Sequence, residues 1–337
     1  MTRPDTKLII NQLLASKGFS ESASLAKKLS SMFEICSAML SKQPHYEFSL
    51  RSVKNVLQLA VSMRSTRPDS KEDALVFNAV HRMKFSELLP EDQTLFLKIA
   101  ADIFPGVDVE RPLYTDTNEI TAEVCEELHL ECSDYFLSKV QEMLEMIKLV
   151  DGIMLVGESF SGKTTLYQTV SKVLARLGRV GEEDNTVHRI IINPKAITIK
   201  QMYGHFDELN EWNDGILATT YRNFSNMSPT EWKWLIFDGP VDPEWIENLN
   251  TVLDENRKLC LMSGEIIKLP KNTNLIFETQ DCATASPATI SRCGMLYMDG
   301  APLTWDLLVK TWSRTLPEAI NRSLREMVST LPQVFSF

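Results

Sequence analysis

The strongest constraint on this chain lies between Gly152 and Leu174, where the sequence reads GIMLVGESFSGKTTLYQTVSKVL. Ile153-Met154-Leu155-Val156 has the length and composition of a buried parallel strand, and a helical pattern resumes after Gly162. Between them, Gly157-Glu158-Ser159-Phe160-Ser161-Gly162-Lys163-Thr164 fits G-x-x-x-x-G-K-[ST], a phosphate-binding loop. Its glycines let the backbone curl so that N–H groups face inward, and the helix that follows adds its partial positive N-terminus. In the resulting anion site Lys163 reaches the β and γ phosphates of ATP or ADP, Thr164 places its hydroxyl on Mg²⁺, and Thr165 follows in the first helical turn. A chance glycine turn before a helix is the bland alternative, but chance rarely supplies both the strand before and the helix after.

A strand running into such a loop predicts an α/β fold with a parallel sheet flanked by helices. Further core strands are expected at His188–Ile192, Trp232–Phe237, Asn274–Phe277 and Met295–Met298. Trp212-Asn213-Asp214-Gly215 reads as a turn, which places a β-hairpin insertion over Asp207–Thr220. Residues 179–185 read as a surface loop. Upstream, residues 7–63 look helical throughout. Leu25, Leu29, Met32, Phe33, Cys36 and Met39 recur on one face between Ser22 and Leu40, and further helices are expected at Asp73–Met83 and from Pro90. This predicts an all-α helical bundle domain over 1–110. A polar, extended stretch from Arg111 to Asn118 marks the boundary, and a helix from Glu119 to Val150, broken near Leu130, leads into the loop strand. The α/β nucleotide-binding domain then spans 111–300.

Composition narrows the partners. Lys plus Arg number 35 against 45 Asp plus Glu, a net charge of −10 without a long basic tract, which argues against nucleic acid. The longest apolar runs are strand-sized, which argues against a membrane span, and MTRPDTKLII lacks the apolar core of a secretory signal. Cys36, Cys125, Cys132, Cys260, Cys282 and Cys293 form no C-x-x-C pair and read as reduced thiols of a cytosolic protein.

Hydrolysis needs more than a loop: an acid for Mg²⁺ and a base that orients water. The run Trp234-Leu235-Ile236-Phe237 ends in Asp238, either the magnesium acid or a strand-end cap. Many hydrolysing sites carry Glu at the next position; here it is Gly239, which has no side chain. Asp242 is the nearest substitute, three residues on and behind Pro240. A missing base removes a factor of typically about 10²–10⁴ in rate, so tight binding with slow or absent turnover is expected. At the end of the strand carrying Asn274–Phe277, Gln280 or Asp281 is placed to sense the γ phosphate. An Asp there disfavours catalysis by repulsion, although it and Glu158 also fit as surface charges.

The chain resembles part of the motor ring of a dynein heavy chain, axonemal type. Leu235 to Asp242 with Trp245 to Asp254, and Ala285 to Gly294, are similar to segments of the second AAA+ module, and Leu40 to Arg51 resembles the small helical domain of the first. The resemblance implies that Arg292 is the arginine finger and Arg51 the second-sensor arginine, both serving the preceding module's nucleotide. As isolated residues, either would read as a surface ion-pair arginine. It also implies a truncated helical lid over 301–337, entered at Pro302 to Leu324, and a hairpin insertion facing the linker. The partners implied are the rest of the ring and linker, dynein intermediate and light chains, and microtubules through the full motor. The location implied is the cytoplasm, cytoskeleton and axoneme of a cilium or flagellum. In the family the second site binds ATP without turning it over. Two other functions stay open: a phosphate-loop ATPase using Asp242 or a neighbour's residue, and an interaction module with an empty loop.

Overall fold

A computed structural model of the chain describes residues 5–67, 70–107, 115–180, 186–254 and 256–317. Helices come first: α1 (Thr6–Ser16), α2 (Ser22–Met39), α3 (Leu50–Thr66), α4 (Glu72–Lys84) and α5 (Pro90–Ile103). Local chemistry sets their ends. Asp5 caps α1 by accepting from the Leu8 N–H at 3.1 Å, and Pro90 opens α5, where its missing N–H costs nothing. Ile10, Leu25, Leu29, Met32, Val56, Ala60, Val76 and Phe96 form one core. Met39, expected on the buried face of α2, is 58% exposed, because α2 ends there and the chain turns away at Leu40.

The helix expected over 119–150 is two, α6 (Thr115–Glu127) and α7 (Asp134–Leu149). His129 adopts φ +57° in the break, and the Ser133 side chain accepts from the Phe136 N–H at 3.2 Å to start α7. Of the boundary stretch expected to be extended over 111–118, residues 111–114 lie outside the described residues, while 115–118 form the first turn of α6, where Asp116 in the first turn suits the helix N-terminus.

The α/β part follows in the order β1 (Gly152–Val156), α8 (Lys163–Val180), β2 (Val187–Ile192), α9 (Ile199–Tyr203), β3 (Gly204–Phe206), β4 (Trp212–Asp214), α10 (Ile216–Asn226) and β5 (Trp232–Asp238). It continues with α11 (Pro243–Ile246), α12 (Asn250–Leu253), β6 (Lys258–Cys260), β7 (Ile266–Lys268), β8 (Thr273–Thr279), α13 (Pro287–Ile290), β9 (Cys293–Tyr297) and α14 (Trp305–Arg314). The main sheet has the order β2-β5-β8-β1-β9, with every pairing parallel. Alternation along each strand splits the core between the two faces. Met154, Val156, Leu235, Phe237, Leu275 and Phe277 pack with Leu217, Tyr221 and Trp245 on one face. Ile153, Leu155, Trp234, Ile236 and Ile276 pack with Val140, Met143, Leu166 and Val170 on the other. The fold is therefore a parallel sheet flanked by helices behind a helical region, as read from the sequence.

Two features depart from that reading. The hairpin exists, but its turn is Asp207–Glu211 rather than Trp212–Gly215: β3 pairs antiparallel with β4, and Asp207 Oδ1 accepts from the N–H groups of Leu209 (2.9 Å) and Glu211 (2.8 Å). Trp212 belongs to the returning strand because its ring packs on Phe206 at 5.1 Å, over Gly204, where any Cβ would strike the indole. A second hairpin, β6–β7, was not anticipated.

The helical region lies along the edge strand β9. Ser86 Oγ donates to the Met295 carbonyl at 3.2 Å, and the His45 ring stacks on Tyr297 at 5.6 Å. Of the expected lid segment 302–324, the described part holds α14, whose Arg314 Nη1 donates to the Leu130 carbonyl at 2.6 Å; the remainder lies outside the described residues. Among the described residues no helix is long and apolar enough to cross a membrane.

Candidate nucleotide-binding site

The loop leaves β1 at Gly157, where a Cβ would sit 2.3 Å from the Met298 carbonyl oxygen, so only glycine fits. Gly162 takes φ +87° just before α8. Phe160 takes φ +66° at the loop's tip with its ring 99% exposed, a left-handed conformation that bulky residues seldom adopt. Lys163 is 8% exposed, and its Nζ donates to the carbonyls of Gly157 (2.6 Å) and Glu158 (2.7 Å). Burial pulls this ammonium below its ordinary pKa, while the Glu278 and Asp238 carboxylates act the other way. The buried Ser161 hydroxyl, inside the same loop, has no hydrogen-bond partner among the described residues.

The acid side is assembled from the ends of two neighbouring strands. Asp238 closes β5, and its partner in register on β8 is Glu278. Glu278 Oε1 accepts from the Thr164 hydroxyl at 2.6 Å, whereas its Oε2 is buried with no hydrogen-bond partner among the described residues. Burial holds the Glu278 carboxyl above the ordinary carboxylate range; Asp238 adds to this, and Thr164 and Lys163 oppose it. The Gly239 N–H donates to the Glu278 carbonyl at 3.2 Å, and a Cβ on Gly239 would meet Pro194 Cδ at 3.3 Å. Asp242 caps α11, its Oδ1 accepting from the Glu244 N–H at 3.0 Å. Gln280 is exposed beyond β8, and Asp281 folds its carboxylate onto the Ala283 N–H at 2.9 Å to make the turn that follows.

This donor set suits a magnesium–nucleotide complex. A buried ammonium, a hydroxyl and the unsatisfied N–H groups of a helix start suit phosphate, and the adjacent carboxylates suit a hard cation. Glu278 was not singled out from the sequence, because its place depends on which strand lies beside β5.

The two arginines lie at the other end of the sheet. Arg292 immediately precedes β9, whose Cys293 is in register with Gly152 at the start of β1, while the phosphate loop follows the end of β1. Arg292 Nε donates to Asp254 Oδ1 at 2.8 Å, and Arg51 Nη1 reaches the same oxygen at 3.1 Å. Burial pushes the Asp254 carboxyl up, but the hydrogen bond and charge of Arg292 and the charge of Arg51 outweigh it and hold it below the ordinary range.

Residues 152–293, from the start of β1 to the start of β9, match the AAA domain of the dynein-related subfamily. Residues 1–164 match a family described as the hydrolytic ATP binding site of dynein motor region. Among similar proteins, dynein axonemal heavy chain 3 of Homo sapiens is 40% identical over 98% of this chain. This chain belongs to the dynein heavy-chain family. Dynein axonemal heavy chain 12 of Rattus norvegicus is 40% identical over 95% of the chain, and dynein axonemal heavy chain 6 of Homo sapiens is 38% identical over 99%. The chain spans 8% of the length of the human heavy chains 3 and 6 and 10% of the rat protein. Its dynein AAA match carries the nucleotide-binding loop together with Asp238 and Glu278. The match described as hydrolytic ends at Thr164, before either acid.

Proposed function

We propose that this chain is a ring module of an axonemal dynein motor that binds ATP or ADP with Mg²⁺ and turns ATP over slowly or not at all. One observation carries the reading: the phosphate side of the cleft is complete, while Gly239 leaves the position after the magnesium acid without a side chain. In this account Gly157 to Thr165 hold the phosphates, with Lys163 leaving the Gly157 and Glu158 carbonyls to take the β and γ oxygens. Thr164 and Asp238 hold Mg²⁺, which screens the phosphate charge. Gln280, exposed just beyond β8, or Asp281, on leaving the Ala283 N–H, faces the γ phosphate. Gly239 orients no water for in-line attack, and Asp242, the next acid along the chain, is spent on capping α11.

The proposal assigns 1–110 to the helical domain of a first module, 111–300 to the large domain of a second, and 301–337 to the start of its lid. Arg51 and Arg292 then serve the preceding module's nucleotide, and their place away from the phosphate loop supports that division. The partners are the remaining ring and linker, intermediate and light chains, and microtubules through the whole motor. The location is the ciliary or flagellar axoneme.

Single-turnover incubation with trace labelled ATP and Mg²⁺ tests the reading. The expected result is protein-bound label recovered as ATP. Conversion to ADP within minutes overturns the absence of turnover, and failure to bind overturns the nucleotide site itself.

A further inference from the structure

We infer that Glu278 is the second acid of the magnesium site, supplied from the strand beside Asp238 rather than from the residue after it, and that its carboxylate occupies the Thr164 hydroxyl until the metal arrives. The inference rests on the nucleotide-binding reading and deepens it.

Sheet register carries the first step. Asp238 and Glu278 are direct partners across β5 and β8, so they point to the same face, about 4.8 Å apart at the backbone. Phe237 and Phe277, one residue earlier on each strand, stack at 5.1 Å on the opposite face. Both carboxylates therefore face the side covered by α8, which begins at Lys163 and packs there through Leu166 and Val170.

Hydrogen bonding carries the second. Thr164 is the hydroxyl that a phosphate loop offers to Mg²⁺, and here it donates to Glu278 Oε1 at 2.6 Å. The other oxygen, Oε2, is buried and unpartnered among the described residues. A dry carboxylate oxygen beside a second carboxylate costs free energy that neither residue relieves for the other. A divalent cation in its water shell satisfies both acids and releases the threonine hydroxyl as a ligand. Without the cation, Glu278 places negative charge where the phosphates must enter, so nucleotide and metal are required together. Glu278 is a positioning residue in this account, acting through the metal's water shell.

The test is equilibrium binding of ATP to the full chain by calorimetry, in EDTA and again in saturating Mg²⁺, comparing wild type, E278Q and K163A. Gln keeps an acceptor for Thr164 and nearly the same shape, and melting without ligand verifies that the variants fold. Wild type is expected to bind ATP far better with Mg²⁺ than without. In E278Q the affinity in EDTA rises, and the enhancement by Mg²⁺ falls about tenfold, the scale on which outer-shell groups act on a bound metal. An unchanged Mg²⁺ enhancement in E278Q, with binding retained, overturns the role of Glu278 and leaves the nucleotide site standing. Absence of ATP binding in wild type under both conditions, indistinguishable from K163A, overturns the nucleotide reading and this inference with it.

Discussion

On the loop side of the cleft, eight consecutive residues supply a buried lysine, a threonine hydroxyl, two glycines and a helix start. Across from it, Asp238 and Glu278 come from strands β5 and β8, forty residues apart in sequence, and Gly239, the residue after Asp238, brings no side chain. The loop side is local: its geometry follows from the turn it makes. The acid side exists only once the sheet has formed, and each of its functions rests on a single side chain. In a cleft so divided, one substitution on the acid side can alter turnover and leave the loop intact.

Four experiments break or sharpen this contrast. The largest effect is expected from Gly239→Glu, which places a carboxylate directly after Asp238: single-turnover hydrolysis should rise by at least about 100-fold, the low end of what a positioned base contributes. Pro194 must yield a few tenths of an ångström to admit the Cβ. Unchanged hydrolysis would place the block elsewhere and end the contrast as drawn. Lys163→Ala removes the charge that the loop focuses on phosphate; affinity should fall roughly 10–100-fold, the scale of lost hydrogen bonds to a charged group, and the ATP-induced rise in melting temperature should shrink correspondingly at any one ATP concentration. Asp238→Asn should leave binding in EDTA largely intact and cut the Mg²⁺ enhancement about tenfold. Equal losses with and without Mg²⁺ would mean that Asp238 acts structurally. The smallest change is expected from Phe160→Gly, which relieves the left-handed backbone at the loop's tip; chemical denaturation should register a gain of up to about 1 kcal/mol, with nucleotide affinity little altered.

How much was legible beforehand follows the same division. The loop could be read because its signature is contiguous, and the core strands because β1, β5 and β8 are apolar runs bounded by polar or glycine residues. The hairpin was misplaced because Asn213-Asp214-Gly215 carries turn chemistry. The actual turn is nucleated by Asp207, whose side chain accepts two backbone N–H groups, a bond that composition does not reveal. The strands β6 and β7 are too short to carry a periodic pattern. Glu278 was passed over because the strand's polar contribution was sought further on, at Gln280 or Asp281, and nothing in the sequence gives the register that sets Glu278 opposite Asp238. Asp254 was hidden for the same reason, since it meets Arg51 across 203 residues of chain.

The seam along β9 has a mechanical consequence. Below the strand, Arg51 and Arg292 share Asp254; halfway up, Ser86 holds the Met295 carbonyl; at the top, His45 lies flat on Tyr297. One residue further, the Met298 N–H is bonded to Val156 and its carbonyl oxygen presses against Gly157 with no room for a methyl group. β9 is thus a push-rod with the bundle clamped along its shaft and the first glycine of the phosphate loop at its tip. The bundle and the loop's first glycine are thus packed against one and the same strand.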